Sequence, residues 1–308
     1  MIKLLLFFLI INKEKLIFVK VTELIGDSKR VNAVSFTPDG SYVVAGGEDG
    51  VIKVLESEKF NQIALLKAHP GGINTLSFSP NGKFLSSGGN DSGIKLWRTI
   101  DWKVEKTLKS EDKVTAVLFV DTSCLITGNG KGEVVVWNIL SKERKTLTRH
   151  RGTVFLSSNQ GIVATGGSDR LIKIWEPITF REITTLKGFK DFIGATSISP
   201  DGKLIAIGVR KSIEIWSLEN FSKVKTLNHR GPVISAVKFS SKGNLLFTSD
   251  EPCFWGSGYI RVWSRDGWLL LGEKEFPDGV ISFDFSPAKE LLAVASGKKV
   301  IIFKLREE

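Results

Sequence analysis

The chain has 308 residues, of which 42% are hydrophobic and 25% are charged, and its formal net charge is +10. With 30 glycines and only two cysteines, it has the composition of a soluble protein with many turns, and a disulfide-rich scaffold is excluded. The length alone is compatible with two domains.

Residues 1–14 form an apolar extension ahead of the rest of the chain. Their apolar run from Leu4 to Ile11 is too short to cross a bilayer as a helix, but it is long enough for the core of a secretory signal. No small-residue cleavage site follows, because Lys13 and Glu14 come next. Three interpretations of this segment remain open: a signal segment, an extra strand packed on the rest of the protein, or a start codon assigned too early.

A unit of four short strands follows. VNAVSF (31–36) alternates apolar and polar residues, Pro38-Asp39-Gly40 supplies a tight turn, and SYVVAGG and VIKVL are the second and third strands. NQIALLKA is the fourth strand and leads into the next unit. No stretch keeps a helical apolar stripe, so the pattern predicts an all-β protein.

This unit recurs about every 40 residues, and seven copies account for most of the chain. The third strand ends in Leu55 in the first copy and in Phe303 in the last. In the five copies between them it ends in Trp97, Trp137, Trp175, Trp216 and Trp263. A four-stranded sheet exposes both faces, so the copies must stack on one another, and a ring of sheets achieves this without long open edges.

Three of the copies share further polar residues, and on these residues the chain resembles the WD40 family of β-propellers from residue 15 to residue 308. The first set is His69, Ser87, Asp91 and Trp97, the second is His150, Thr165, Asp169 and Trp175, and the third is His229, Thr248 and Trp263. The resemblance implies one domain, a seven-bladed propeller with four-stranded antiparallel blades.

The seventh copy supplies only three strands before the chain ends. The missing strand is available in KLIFVKVTELIG (15–26), which has strand composition and precedes the first full copy. We therefore predict that this N-terminal segment joins the last blade and closes the ring, which would also hold down both chain ends.

The shared polar residues predict a buried hydrogen-bond chain in each of the three copies. An indole N–H donates a hydrogen bond, and a hydroxyl can both donate and accept one. A neutral imidazole donates from one ring nitrogen and accepts at the other, and a carboxylate accepts. This structural role accounts for all three histidines, and no Cys/His cluster has the spacing of a metal site. Other copies depart from the pattern: the first has Asp27, Ala45 and Leu55, and Phe189 and Phe276 replace the histidine in the fifth and seventh. None of the five tryptophans is followed by the Asp of the family pattern.

Basic residues concentrate in the loops between residues 149 and 230, which the resemblance places on one face, the top face. We call this set the basic crescent: Arg149, Arg151, Arg170, Lys190, Arg210, Lys211 and Arg230. Only Asp169 and Asp191 oppose them within these loops, whereas the corresponding loops elsewhere are mixed or acidic, as at Glu48-Asp49, Glu111-Asp112 and Asp250-Glu251. Such a lopsided field steers acidic partners, although basic proteomes also produce such charges by coincidence.

Aromatic residues outside the repeat positions form two groups. Phe60, Trp102, Phe180, Phe221 and Trp268 recur in the turn after the third strand, which predicts packing between blades. Trp255 lies in an enlarged turn (250–258) that other copies lack. It could anchor a partner, since interface hot spots favour Trp, or it could fold back as a plug on the propeller.

No motif indicates catalysis. The Gly-Gly pairs lie between strands with no following helix, so they do not form a phosphate-binding loop, and we predict no enzyme activity, cofactor, metal or small-molecule substrate. The resemblance implies a rigid platform for other macromolecules, although a fold does not name a partner. We expect a monomeric cytoplasmic scaffold whose top face binds an acidic protein segment. The alternatives are an exported accessory subunit or enzyme of a redox or hydrolytic system and, for the basic crescent, a nucleic-acid ligand.

Overall fold

The computed structural model describes residues 15–25, 29–141, 143–159, 161–229, 231, 233–251, 257–286 and 288–307. Within these ranges the strands form seven four-stranded antiparallel sheets, and each sheet is one blade of a propeller. The predicted all-β, seven-bladed fold is confirmed.

The first strand, β1 (Leu16–Ile25), belongs to the last blade. Blade 1 contains β2 (Val31–Phe36), β3 (Tyr42–Gly47), β4 (Val51–Glu56) and β5 (Gln62–Lys67). Blade 2 contains β6 (Ile73–Phe78), β7 (Phe84–Gly89), β8 (Gly93–Arg98) and β9 (Val104–Lys109). Blade 3 contains β10 (Val114–Phe119), β11 (Cys124–Asn129), β12 (Glu133–Asn138) and β13 (Arg144–Arg149).

Blade 4 contains β14 (Val154–Asn159), β15 (Ile162–Gly167), β16 (Ile172–Trp175) and β17 (Glu182–Leu186). Blade 5 contains β18 (Ile193–Ile198), β19 (Leu204–Val209), β20 (Ser212–Ser217) and β21 (Lys223–Asn228). Blade 6 contains β22 (Val233–Phe239), β23 (Leu245–Glu251), β24 (Gly258–Ser264) and β25 (Leu270–Phe276). Blade 7 contains β26 (Ser282–Phe285), β27 (Leu291–Ser296), β28 (Lys299–Glu307) and β1.

The second strand of each blade is its most buried element. In β3, for example, every residue after Tyr42 is buried, because the strand lies between two others and is covered on both sides by neighbouring blades. The turn that leads into it needs Gly40, whose φ of +70° is in the left-handed region that glycine adopts without steric cost. The first strands lie side by side around the ring.

Blade 7 combines the two ends of the described chain, as the sequence predicted. β1 pairs antiparallel with β28 from Leu16 opposite Glu307 to Ile25 opposite Lys299. Glu23 of β1 lies 2.7 Å from Nζ of Lys299. Hydrogen bonds from Lys20 and Lys299 lower the pKa of Glu23 to about 2. β26 contacts both β22 and β2, so the ring is closed.

An acidic side chain ties the first strands together at the closing junction. Oδ2 of Asp284 on β26 accepts a hydrogen bond from the backbone N–H of Phe36 at 2.8 Å and from the hydroxyl of Ser35 at 3.1 Å. Lys238 of blade 6 forms an ion pair with the same carboxylate. Asp284 therefore joins blades 6, 7 and 1.

Serines take the same position between other blades. The backbone N–H of Phe119 donates to Ser77 Oγ at 3.4 Å, and that of Phe239 donates to Ser197 Oγ at 3.1 Å. The side chain in this position therefore binds the neighbouring first strand in several parts of the ring.

Seven hydrophobic clusters, built from the described residues, lie one at each junction between blades. The recurring aromatic residues pack into five of them, as the sequence predicted. All five have φ between 54° and 61°, and they are Phe60, Trp102, Phe180, Phe221 and Trp268. A residue other than glycine in this conformation costs about 1 kcal/mol or more, so ring packing must outweigh the strain at each turn.

Candidate functional site: the top face

A hydrogen-bonded chain in blade 2 runs from the top face into the interior. His69 lies in the loop that enters the blade, and its Nδ1 is 2.9 Å from Oδ1 of Asp91. Its Nε2 is 2.8 Å from Oγ of Ser87, which also accepts the indole N–H of Trp97 at 3.0 Å. The imidazole therefore donates from Nδ1 and accepts at Nε2, so each polar group in the chain has a partner.

The same chain is present in blade 4. Nδ1 of His150 lies 2.9 Å from Oδ2 of Asp169, and its Nε2 lies 2.9 Å from Oγ1 of Thr165. Trp175 donates its indole N–H to that hydroxyl at 3.0 Å. Burial lowers the pKa of His69 and of His150 below the usual 6.5, because the imidazolium would lose its hydration, although the neighbouring aspartates act in the opposite direction.

Blade 6 carries a modified chain. Trp263 donates to Oγ1 of Thr248 at 3.0 Å, and Nε2 of His229 lies 3.4 Å from that hydroxyl. Oδ2 of Asp250 lies 2.9 Å from Nδ1 of His229 and 2.8 Å from Nη1 of Arg261. The expectation that Asp250 lies in an acidic loop is wrong, because Asp250 is fully buried on β23.

Electrostatics explain how the buried charges of blade 6 are tolerated. Arg261, which is 3% exposed, also donates from Nε to Oε2 of Glu273 at 3.1 Å. Burial raises the pKa of Asp250, but hydrogen bonds from His229 and Arg261 outweigh it and hold that pKa below its usual value. Burial also lowers the pKa of His229, and Arg261 adds to this effect. No pattern in the sequence indicated this role of Arg261.

The described residues of the basic crescent lie at the same end of adjacent blades as His150. Arg149 is the last residue of β13, and Arg151 lies in the loop between β13 and β14. Arg170 lies in the turn between β15 and β16. Lys190 lies between β17 and β18, and Arg210 and Lys211 lie between β19 and β20. The backbone of His150 donates to Gly132 O at 2.8 Å, which places the entering loop beside the turn of the preceding blade. Arg230 and Trp255 lie outside the described residues.

Two members of the basic crescent are neutralised by acids of the protein itself. Arg149 lies 3.3 Å from Glu133 and 3.8 Å from Glu111, and Arg210 lies 3.1 Å from Asp191. No pattern in the sequence indicated that Glu111 and Glu133 pair with Arg149 of the basic crescent. The other members are exposed and form no ion pair with any described residue: Arg151, Arg170, Lys190 and Lys211.

A cleft of about 470 Å³ opens beside these cations on blade 5. Lys190, Lys211 and Arg210 line its upper part. Glu214 and Lys223 line its lower part, where the carboxylate and the ammonium are 2.8 Å apart. Two of the four unpaired members of the basic crescent, Lys190 and Lys211, therefore line this cleft.

The repeats of this chain match a known family of domains. The model of the family described as "WD domain, G-beta repeat" matches residues 18–55, 60–98, 141–176 and 221–264, which together are about half of the chain. The chain belongs to the WD40 family.

Curated relatives match over parts of their length. The apoptotic protease-activating factor 1 of Rattus norvegicus is 27% identical over 190 residues, covering 58% of this chain and 15% of that protein. Its Homo sapiens counterpart is 24% identical over 252 residues, covering 76% and 19%. The small ribosomal subunit protein RACK1 of Caenorhabditis elegans is 31% identical over 152 residues, covering 48% and 42%. The chain thus spans less than half the length of these relatives.

Three WD40 blades replace the histidine chain with other contacts. In blade 5, Trp216 donates to Oε2 of Glu214 at 3.0 Å, and the ring of Phe189 lies 5.5 Å from that of Trp216. In blade 7 the rings of Phe276 and Phe303 meet edge to face at 5.8 Å. In blade 3 the indole N–H of Trp137 still donates to Oγ1 of Thr127 at 2.8 Å. A hydrogen bond from Asn129 to Oε2 of Glu133 at 3.2 Å takes the place of the contact between histidine and aspartate.

Blade 1 has neither tryptophan nor hydroxyl at these positions. Ala45 and Leu55 are buried there and pack with Phe60 against blade 7. Asp27, which the sequence analysis assigned to the same set, lies outside the described residues. Apolar packing therefore takes the place of a polar chain in this blade.

An acceptor side chain follows four of the five tryptophans and can do the work of the family's Asp; the exception is Arg98, which donates to Asp101. The side-chain oxygen of Asn138 accepts the backbone N–H groups of Leu140 and Ser141, both at 2.9 Å. Glu176 accepts the N–H of Thr179 at 2.6 Å. An acceptor in this position closes the turn, so Asn and Glu can replace the family's Asp.

The turns between the second and third strands differ in strain. Gly50 and Gly132 have φ of +75° and +86° in blades 1 and 3, where glycine is unstrained. Ser92 has the same conformation in blade 2, and Arg170 has it in blade 4, with φ of +61° and +62°. Arg210 has φ of +44° in the shorter turn of blade 5. Two arginines of the basic crescent therefore occupy positions where a side chain is costly.

Neither a metal-binding cluster nor a membrane-spanning helix is found in the described part of the chain. No group of three or more His, Cys, Asp or Glu residues there is arranged to hold a metal ion. No helix among the same residues has the length and apolar character needed to cross a membrane.

Proposed function

We propose that this chain is a non-catalytic WD40 scaffold that binds an acidic segment of another protein on the top face of blades 4 and 5. WD40 propellers generally serve as platforms for protein interaction, and this chain has that fold. The observation that carries the finer proposal is the set of exposed, unpaired cations in adjacent loops: Arg151, Arg170, Lys190 and Lys211.

The histidines support a structural role rather than catalysis. His69, His150 and His229 are buried and hydrogen-bonded at both ring nitrogens. A general base must reach its substrate within hydrogen-bond distance, and these side chains are covered. The names of the relatives also support a role that involves other macromolecules. One relative is named as a protease-activating factor, and another is named as a ribosomal subunit protein.

Backbone strain supports a function for the charge. A side chain in the left-handed region costs about 1–3 kcal/mol, and such residues concentrate at binding sites. Arg170 bears this cost at a position where Gly50 and Gly132 avoid it. Arg170 presents an exposed positive charge at this costly position, and we propose that this charge is its contribution.

The test separates strain from charge with two matched variants. Arg170→Gly removes strain and charge together, whereas Ser92→Gly removes similar strain in blade 2 and leaves the charge unchanged. Both should melt at or above the wild-type temperature. A fluorescein-labelled peptide of alternating Glu and Ser should bind the wild type and Ser92→Gly equally and bind Arg170→Gly several-fold more weakly, by about 1 kcal/mol or less for one exposed charge.

Salt dependence supplies the second readout. Exposed charges are screened beyond about 8–10 Å at physiological ionic strength, so added NaCl should slow peptide association more than it speeds dissociation. Equal peptide affinity in wild type and Arg170→Gly would contradict the proposal. Tighter binding of single-stranded DNA than of the peptide, with a linear log–log salt dependence, would assign the crescent to nucleic acid instead.

We further propose that this scaffold is a cytoplasmic monomer. The exported alternative requires removal of residues 1–14, which lie outside the described residues. Mass spectrometry of the protein from its native source discriminates the two, because an intact N-terminus supports the cytoplasmic location and processing near residues 12–20 contradicts it. Sedimentation equilibrium of the full chain tests the monomer.

A further inference from the structure

Three aliphatic side chains protrude from the bottom face, which is the end of the propeller opposite the top face and carries the turns between third and fourth strands. Ile100, Leu140 and Ile178 are 90%, 77% and 86% exposed. The next most exposed large hydrophobic residue of the described chain is Val224, at 51%. A single exposed aliphatic residue is ordinary in a soluble protein, so the three are significant only through their common position.

These residues hold one position of the repeat in three consecutive blades. Each is the third residue after the tryptophan of the third strand, in blades 2, 3 and 4. We call Ile100, Leu140 and Ile178 the aliphatic tips. In blades 1, 5 and 6 the same position holds an exposed acid: Glu58, Glu219 and Asp266. The bottom face is therefore divided into an apolar arc and an acidic arc.

The turns that carry the aliphatic tips are held by contacts of their own. The backbone N–H of Leu140 donates to Oδ1 of Asn138 at 2.9 Å, and that of Ile178 donates to Oε1 of Glu176 at 3.0 Å. In blades 2 and 4 the aromatic residue two positions after the tip packs into a cluster between blades: Trp102 and Phe180. Turns that are already ordered lose little freedom on binding, so the tips are preorganised to meet one surface together.

Cations accompany the aliphatic tips. Lys103 and Arg181 follow the tips of blades 2 and 4 by three residues, and both are exposed and form no ion pair with any described residue. Nζ of Lys106 lies 3.0 Å from the carbonyl oxygen of Ile139, beside the tip of blade 3. In blades 1, 5 and 6 the position three residues after the acid holds no cation: Asn61, Ser222 and Leu269.

The acids near the aliphatic tips are hydrogen-bonded within their own turns. Asp101 pairs with Arg98 at 2.7 Å, and Glu176 accepts two backbone N–H groups of its turn. Asp121 and Glu143 each accept a hydrogen bond from a serine of their turn. Lys103 and Arg181 therefore have donors to offer an anionic ligand, whereas the acids already have partners.

The shape of the apolar arc favours a bilayer over a folded partner. The aliphatic tips do not line the clefts between blades 6 and 7, 7 and 1 or 1 and 2, nor the cleft of blade 5. A protein would need three pockets spaced to match turns on three separate blades. The boundary between lipid headgroups and acyl chains accepts protruding aliphatic side chains at any spacing.

We propose that the aliphatic tips insert into the surface of a membrane that contains anionic lipids, while Lys103, Lys106 and Arg181 bind the lipid phosphates. Buried apolar area and attraction of cations to anionic lipids are the two terms that hold a protein at this interface. The acidic arc is repelled by the same surface, so blades 2 to 4 approach it first. This site is on the opposite face from the basic crescent and does not depend on the proposed peptide binding.

The test uses the full chain and vesicles of phosphatidylcholine with about 30% phosphatidylserine, with bound protein measured by co-sedimentation. The wild type should bind these vesicles more tightly than vesicles of phosphatidylcholine alone. Ile178→Ser should weaken binding about tenfold, and the triple serine variant of the aliphatic tips at least about a hundredfold. Melting temperatures should stay unchanged, because these side chains are exposed in the folded chain.

Two variants serve as matched controls. Glu219→Ser changes the same turn position in blade 5 and should bind the vesicles at least as tightly as the wild type. Arg170→Gly alters the basic crescent and should keep vesicle binding, whereas the triple serine variant should keep the acidic peptide. The two assays therefore separate failure of this proposal from failure of the proposed function.

Three outcomes would overturn the proposal. Absence of vesicle binding by the wild type is the first. Equal binding by the wild type and the triple serine variant is the second, because it would mean adsorption through the net charge of +10 alone. The third is concentration-dependent self-association of the wild type that the triple serine variant lacks, without vesicle binding, which would assign the aliphatic tips to a second copy of the chain.

Discussion

Replacing Asp284 should weaken the ring where blade 7 meets blade 1. The carboxylate is 6% exposed and accepts the backbone N–H of Phe36 and the hydroxyl of Ser35 from the neighbouring blade. It also pairs with Lys238 of blade 6. One substitution, Asp284→Ala, therefore removes contacts to two other blades.

The magnitude follows from these contacts. The buried N–H of Phe36 loses its acceptor, which costs about 1–3 kcal/mol, and the hydroxyl of Ser35 loses a bond worth about 1 kcal/mol. The ion pair with Lys238 contributes at most about 1 kcal/mol, because the lysine side chain is 46% exposed. The total is about 3 kcal/mol. For a domain of this size, an unfolding entropy of about 2 cal/mol/K per residue converts that loss to about 5 °C in melting temperature.

Thermal unfolding followed by circular dichroism measures this loss, and Asp284→Ser is the control. Ser77 and Ser197 show that a serine in this position can accept the N–H of the neighbouring strand. The serine variant should therefore recover about half of the stability lost in the alanine variant. Equal melting temperatures for the two variants, or no loss in Asp284→Ala, would refute the idea that the side chain joins the blades.

Three further predictions concern the histidine chains and ring closure. His69→Ala should lower the free energy of unfolding by about 1–3 kcal/mol, because Ser87 and Asp91 lose a buried partner, while binding of the acidic peptide stays unchanged; loss of binding at unaltered stability would assign His69 a direct role. The melting temperature of the wild type should fall as pH drops below 6.5, because burial depresses the folded-state pKa of all three histidines and the unfolded chain then binds more protons; a flat profile down to about pH 5 would contradict this. Deleting residues 1–26 should expose the edge of β28 and promote aggregation, whereas deleting residues 1–12 should leave the melting temperature unchanged; equal melting of the longer truncation and the full chain would contradict the strand pairing.

The fold could be predicted because each repeat carries its own turn and strand signals. Pro38-Asp39-Gly40 and Val31–Phe36 mark a turn and a strand locally, and the repeat spacing then gives the number of blades. The place of β1 in blade 7 could also be predicted, because the seventh copy of the repeat has only three strands of its own.

The contacts that the sequence did not reveal are set by register and by neighbouring blades. Asp250 follows Thr248 by two residues, whereas Asp91 follows Ser87 by four, so the spacing of one blade did not transfer to the other. Glu111 approaches Arg149 from a different loop, and no spacing along the chain measures that distance. Asp284 was missed because two of its partners, Ser35 and Phe36, are 249 and 248 residues away along the chain.

The pairing of β1 with β28 also has a consequence for the order of folding. Each of blades 1 to 6 is built from consecutive strands and can form soon after its fourth strand has been synthesised. The partner of β1 is made about 290 residues later, which at about 5–20 residues per second is a delay of about 15–60 s on the ribosome. During that interval the apolar side chains with which β1 packs in the folded protein, including Phe18 and Leu24, have no partner to cover them. We therefore expect β1 to depend on chaperones more than any other strand, and late ring closure to limit the rate of folding.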